Sequence, residues 1–77
     1  MEAALKEILA DIFDVHVENI DSDFTAEHIG LWDSLNHLRM VTAIEERFNV
    51  EFAMDEIGEM TSYDAITKAV NKHVHNP

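Results

Sequence analysis

Apolar residues recur at helical spacing in three separate stretches of this chain, and that recurrence limits its fold more than any other feature. Leu5, Ile8, Leu9 and Ile12 lie on one face of a period of about 3.6 residues, which predicts a first helix over Glu2–Phe13. Met40, Ile44 and Phe48 recur at every fourth residue of a second helix over Ser34–Phe48, while Leu35 and Leu38 lie with Ser34 on a different, partly overlapping side. Only one of those two stripes can face a core fully. Tyr63, Ile66, Val70 and Val74 repeat at intervals of three and four in a last helix, with Thr61 to Asp64 fitting a capping box at its start. Lys68, Lys72 and His73 fall toward its C-terminal half, where the helix dipole favours positive charge.

The segments between these helices are shorter on signal. Residues 15–32 have no sustained period and are rich in Asp and Glu, with isolated apolar residues at Val17, Ile20, Phe24 and Ile29. A structureless stretch of that length is functional, pinned by its apolar residues, or both. Asp33 stands where an N-cap would, Asn49 where a left-handed stop would, and residues 55–60 form an acidic turn or short helix. The expected fold is therefore all-α: a bundle of three main helices plus a short third one, with a long loop between the first two.

The 77 residues make one small domain over positions 1–77, with room for a single modest core. There is no cysteine, so neither disulfides nor Cys-ligated zinc can support it, and apolar packing has to hold the fold alone. A formal net charge of -11 repels nucleic-acid phosphates and anionic lipid surfaces alike. No apolar run is long enough for a spanning helix. The chain is expected to be cytoplasmic and monomeric, with neither nucleic acid nor membrane as partner. Its acid is unevenly placed: the second helix sets Arg39 and Arg47 against Glu45 and Glu46, and the excess lies in the segments on either side.

The tripeptide Asp33-Ser34-Leu35 alone reads as a plain helix cap. Its context is more specific. Gly30-Leu31-Trp32-Asp33-Ser34-Leu35 opens an amphipathic helix that closes with Ile44-Glu45-Glu46-Arg47-Phe48, followed by Phe52 and an acidic turn. Over nearly its whole length the chain resembles the acyl carrier protein family, including the peptidyl and aminoacyl carriers. That resemblance implies a four-helix bundle, not an enzyme, whose Ser34 is esterified with 4'-phosphopantetheine from coenzyme A by a phosphopantetheinyl transferase. The arm would supply the thiol that the sequence lacks. A phosphodiester on the first residue of a helix also meets unpaired N–H groups and the positive end of the dipole. Asp33 would cap the helix and, as the family suggests, assist transferase recognition and the metal-assisted transfer.

Further implied partners are an acyl- or aminoacyl-loading enzyme and a downstream synthase or transferase, in fatty acid, polyketide or nonribosomal peptide biosynthesis. Carriers of fatty acid synthases are usually acidic along the second helix, whereas Asn36 and Arg39 stand at two of those positions here. Trp32 before the Asp-Ser pair, and Phe52-Ala53 where Ile-Pro is common, look more like discrete carriers of specialised pathways. The expected partner surface is Leu35, Leu38, Arg39 and Trp32, with Glu45, Asp55 and Glu56 as acidic contributors. Alternatives are a discrete aminoacyl or peptidyl carrier and, in a different class, an unmodified acidic interaction module in which Leu35, Leu38 and Trp32 form an exposed apolar patch.

Three other signals are weaker. Asp21-x-Asp23 begins like a calcium loop, but Ala26 and Trp32 occupy the required glycine and glutamate positions. Ser34 and His37 share a helical face, yet no third group is at hand to orient a catalytic dyad. His73 and His75, with His16 and His28 elsewhere, fit solvated surface better than a metal site.

Overall fold

A computed structural model describes residues 2–74. The element order is α1 (Glu2–Phe13), a short 3-10 turn (Val17–Asn19), α2 (Ser34–Phe48), α3 (Met54–Glu59) and α4 (Tyr63–Val74). Among the described residues there are four α-helices and no strand, as the periodicity predicts. The bounds of α1 and α2 coincide with those read from the sequence; α3 begins one residue earlier than expected.

Both α1 and α2 stop the same way. Asp14 (φ 55°) and Asn49 (φ 54°) adopt the left-handed conformation just past the last helical residue. The next amides, of Val15 and Val50, donate back to the carbonyls of Ala10 and Glu45 at 3.2 and 3.1 Å. This satisfies carbonyls that a helix end would otherwise leave open. Asn49 is the stop its side chain suggests; Asp14 fills the same role without having been singled out.

The core is built from one stripe of each long helix: Leu5, Leu9 and Phe13 from α1, Met40, Val41 and Ile44 from α2, and Tyr63, Ile66 and Val70 from α4. Ile20, Phe24, Phe52 and Met60 close it from the connecting segments. Ile8, Ile12 and Phe48 pack against this cluster only in part, and Val74 and Val17 are exposed, so Val17 does not anchor the loop. Among the described residues no charged side chain is buried.

The loop is tied to the start of α4 by backbone bonds. The Ala26 amide donates to the Thr61 carbonyl and the Tyr63 amide to the Phe24 carbonyl, both at 2.9 Å. Thr25 and Ser62 form the isolated antiparallel bridge between them. The Ser62 hydroxyl accepts from the Ala65 amide at 3.1 Å, so the α4 cap falls on Ser62, one residue after the expected Thr61. With the Thr61 carbonyl already paired to the loop, the chain turns into helix one position later.

Candidate functional site

The start of α2 is built by Asp33. Its backbone is extended (φ -109°, ψ -179°) and its Oδ1 accepts from the Asn36 amide at 2.8 Å, while its carbonyl accepts from the His37 amide. That leaves the Ser34 and Leu35 amides without an acceptor among the described residues, at the positive end of the helix dipole. Ser34, the first residue of α2, is exposed beside them.

Asn36 adds a brace that local sequence does not advertise. Its Nδ2 donates to the Leu31 carbonyl at 2.8 Å, and its Oδ1 accepts from Arg39 Nη1 at 3.2 Å. The loop end, the cap and Arg39 are thereby held as one unit. Trp32 belongs to this unit from the inside. It stacks on Phe13 with ring centroids 4.6 Å apart and lies 5.5 Å from Phe24. The expectation that Trp32 stands with Leu35 and Leu38 in an exposed patch is corrected: it is half-buried against the core, whereas Leu35 and Leu38 are 67% and 56% exposed.

His37 is spoken for on both ring nitrogens. Trp32 Nε1–H donates to Nδ1 at 3.0 Å, and Nε2 lies 2.7 Å from the Ile57 carbonyl of α3. An indole nitrogen only donates and a carbonyl only accepts, so the ring is the neutral tautomer with its proton on Nε2. It therefore has no lone pair left with which to activate Ser34. His37 is a strut joining loop, α2 and α3.

Two of the acidic residues expected on the docking rim turn inward. Glu45 Oε2 accepts from the Phe52 amide at 2.9 Å. Glu56 accepts from the Ala53 amide at 2.9 Å and from His73 Nε2 at 2.9 Å, with Lys72 Nζ 3.6 Å away. The Ala53 N–H bond first, and then the His73 bond, hold the Glu56 carboxyl below the usual carboxylate range. Asp55 remains exposed. No cluster of three metal-ligating side chains forms among the described residues; His75 lies outside them.

Beside Ser34 runs an open groove of about 600 Å³ between α2, α3 and the loop, with Trp32 and Leu38 on its apolar side and Gly58 and Thr61 among its lining. An exposed hydroxyl, two open amides and an adjoining groove suit a serine that carries a long phosphate-linked arm.

The sequence profile of the family described as the phosphopantetheine attachment site matches residues 3–70. The chain belongs to the phosphopantetheine-binding carrier family. The carrier's fold is that of a holo acyl carrier protein from Geobacter metallireducens solved by solution NMR, with a TM-score of 0.83 over 96% of this chain and 85% of that one at 24% sequence identity. No curated protein sequence matches it. As a member of the family it is a non-catalytic carrier bearing covalent 4'-phosphopantetheine, and it works with modifying and biosynthetic enzymes. Bound, that group supplies a thiol at the end of a long tether. No helix among the described residues is long and apolar enough to cross a membrane.

The roles that the sequence does not signal are those of Asn36 as a brace and of Ala26, Gly58 and Thr61 as groove lining. Only His37, one turn beyond Ser34, carried a signal, and it was open to a different reading.

Proposed function

We propose that Ser34 is the attachment residue and that this carrier holds acyl groups as thioesters on its arm for the enzymes of a specialised biosynthetic pathway. The observation that carries the reading is the exposed Ser34 hydroxyl on the first residue of α2, capped by Asp33, within the segment that the attachment-site profile spans. In the transfer, the Ser34 oxygen forms a bond to the phosphorus nearest the pantetheine of coenzyme A, and the pyrophosphate P–O bond of the coenzyme breaks. The adenosine bisphosphate leaves, and the serine proton passes to a base on the transferase, since His37 is committed elsewhere. Asp33 holds the helix start in shape for that enzyme.

The test is intact mass after incubation with coenzyme A and a promiscuous phosphopantetheinyl transferase, followed by peptide mapping. A single arm on Ser34, with Ser22 and Ser62 unmodified, is expected. A Ser34→Ala variant that still takes up the arm sinks the assignment.

Partners are read as docking on the exposed side of α2, where Leu35, Leu38, Arg39 and Glu46 border a depression of about 340 Å³. Asp55, with Asp23 and Glu27 of the loop, provides exposed steering acid at the rim. Leu38→Ala should slow acyl transfer to the cognate enzyme about fivefold or more while leaving the melt unchanged, the loss expected for an apolar contact worth about 1 kcal/mol. Against a fatty-acid-synthase enzyme with a basic docking surface, Arg39 would present like charge, so Arg39→Glu should speed transfer with such an enzyme. Rates indifferent to both changes would move the partner surface off α2.

A further inference from the structure

Ser34 is bracketed twice at the start of α2, once more than a helix cap requires. Asp33 and Asn36 make the first bracket: the Asn36 amide meets Asp33 Oδ1 and Asn36 Nδ2 meets the Leu31 carbonyl, both at 2.8 Å. That bracket is local, as capping is. His37 makes the second. Its amide donates to the Asp33 carbonyl at 2.8 Å and its Nδ1 accepts from Trp32 Nε1–H at 3.0 Å, so one backbone and one side-chain bond close around residues 33–36. Both ends of this bracket are anchored outside α2. Trp32 is stacked on Phe13 of α1, and His37 Nε2 reaches the Ile57 carbonyl of α3 at 2.7 Å, 20 residues along the chain. Leu35 and Leu38, on the same turn of α2, are exposed, whereas His37 is half-buried with both ring nitrogens engaged.

We infer that His37 is a positioning residue for the transfer at Ser34: through Trp32 it fixes the loop end that leads into the serine, and so holds the hydroxyl in one frame when a transferase engages it. The inference rests on the reading of Ser34 as the attachment residue. In that step Ser34 Oγ forms its bond to the coenzyme's phosphorus, the P–O bond to the departing adenosine bisphosphate breaks, and the serine proton goes to a base on the transferase. His37 takes no part in those exchanges, because both its nitrogens are engaged. What it supplies is orientation, and a reacting group displaced by about 1 Å can lose about 100-fold in rate. The side chain must offer an acceptor to the indole N–H, which only donates, and a donor to the Ile57 carbonyl, which only accepts. Neutral imidazole meets both demands. The carboxamide of glutamine carries the same pair of groups, whereas leucine matches the bulk and offers neither. A residue that served packing alone would depend on bulk, so the two roles separate by substitution.

The experiment measures loading kinetics of the full chain with coenzyme A and a promiscuous phosphopantetheinyl transferase, read by intact mass. It compares the wild type with His37→Leu, His37→Gln, Trp32→Phe and the double variant combining Trp32→Phe with His37→Leu, each checked for helicity by circular dichroism. His37→Leu and Trp32→Phe should each lower kcat about tenfold, within what misplacing a nucleophile costs, and leave KM for the carrier little changed. The double variant should be little slower than either single one, because both changes remove the same bond. His37→Gln should recover most of the rate, with the indole N–H proton resonance of Trp32 near its wild-type position; His37→Leu should move that resonance. If His37→Leu does not fold, His37→Gln against Trp32→Phe makes the same comparison. Losses that add in the double variant overturn the inference. So does unchanged loading of His37→Leu with a displaced indole resonance, or a loss carried by KM alone. A wild type that takes no arm on Ser34 overturns the attachment reading instead, before any variant is compared.

Discussion

The loop before α2 and the short helix α3 flank the same site, and they are fastened in opposite ways. The loop has almost no regular structure, yet Ile20 and Phe24 are 1% and 3% exposed, Trp32 is stacked on Phe13, and two backbone bonds tie it to α4. Helix α3 has regular structure and no buried residue; Ile57 packs in part against the core, and the remaining ties are polar, from His37 to the Ile57 carbonyl and from His73 and Lys72 to Glu56. Regularity of the backbone is thus no guide to how firmly a segment is held. Apolar burial does not depend on protonation, whereas imidazole and carboxylate ties do. The element that has to present Ser34 in a fixed frame has the first kind of anchor, and the one that borders the groove has the second.

Removing a loop anchor should have the largest effect. Phe24→Ala is expected to cost about 3 to 5 kcal/mol, a large share of the roughly 5 to 15 kcal/mol that a small domain has in total. Urea unfolding should therefore show a much lower midpoint, and an unchanged midpoint would mean that the loop is not a structural part of the core. His37→Ala should be milder and local, because it strips the partners of the Trp32 N–H and the Ile57 carbonyl at a cost of about 1 to 3 kcal/mol. Amide exchange should quicken in α3 while α1 and α4 keep their protection, and emission from the single tryptophan should shift. Equal loss of protection in all four helices would erase the contrast between the two regions.

The Glu56 tie sharpens the comparison through pH. Its carboxyl is held below the usual range in the folded state, so its contribution is fully present above the ordinary carboxylate value and is lost as pH falls through the lowered one. Protection in α3, taken relative to the intrinsic exchange rate at each pH, should fall on acidification through that window in the wild type but not in Glu56→Gln, with the loop amides unaffected in both. A pH response shared by the loop would show that α3 is not held separately. The smallest effect is expected from salt: a net charge of -11 on 77 residues is self-repelling, and screening should raise Tm by a few degrees between low salt and a few hundred millimolar. A flat profile would mean that the charges are already paired locally.

Much of this architecture is legible in the amino-acid sequence. A stripe that recurs every three or four residues marks one helical face, so the three long helices and the bounds of α1 and α2 follow from spacing, whereas only packing shows that Met40 and Ile44, and not Leu35 and Leu38, face the core. Phe13 and Val41 join the core although each sits at the margin of its stripe, where neighbouring elements decide the burial. Trp32, Glu45 and Glu56 were read as surface because amphipathic and charged side chains usually are. Each instead meets a partner set by the fold: the aromatic ring of Phe13, the amide of Phe52, and the imidazole of His73.

The sequence by itself determined the helical bundle, the capped start of α2 and a serine placed first on it, because caps and amphipathic stripes are written over intervals of one to four residues. The tertiary structure alone decided that His37 is a strut and not a base, that Glu45 and Glu56 face inward, and that Gly58 borders the groove beside Ser34. Hydrogen-bond partners and open space that join residues far apart in the chain come into being only when α2, α3 and α4 pack together, and no local pattern encodes them.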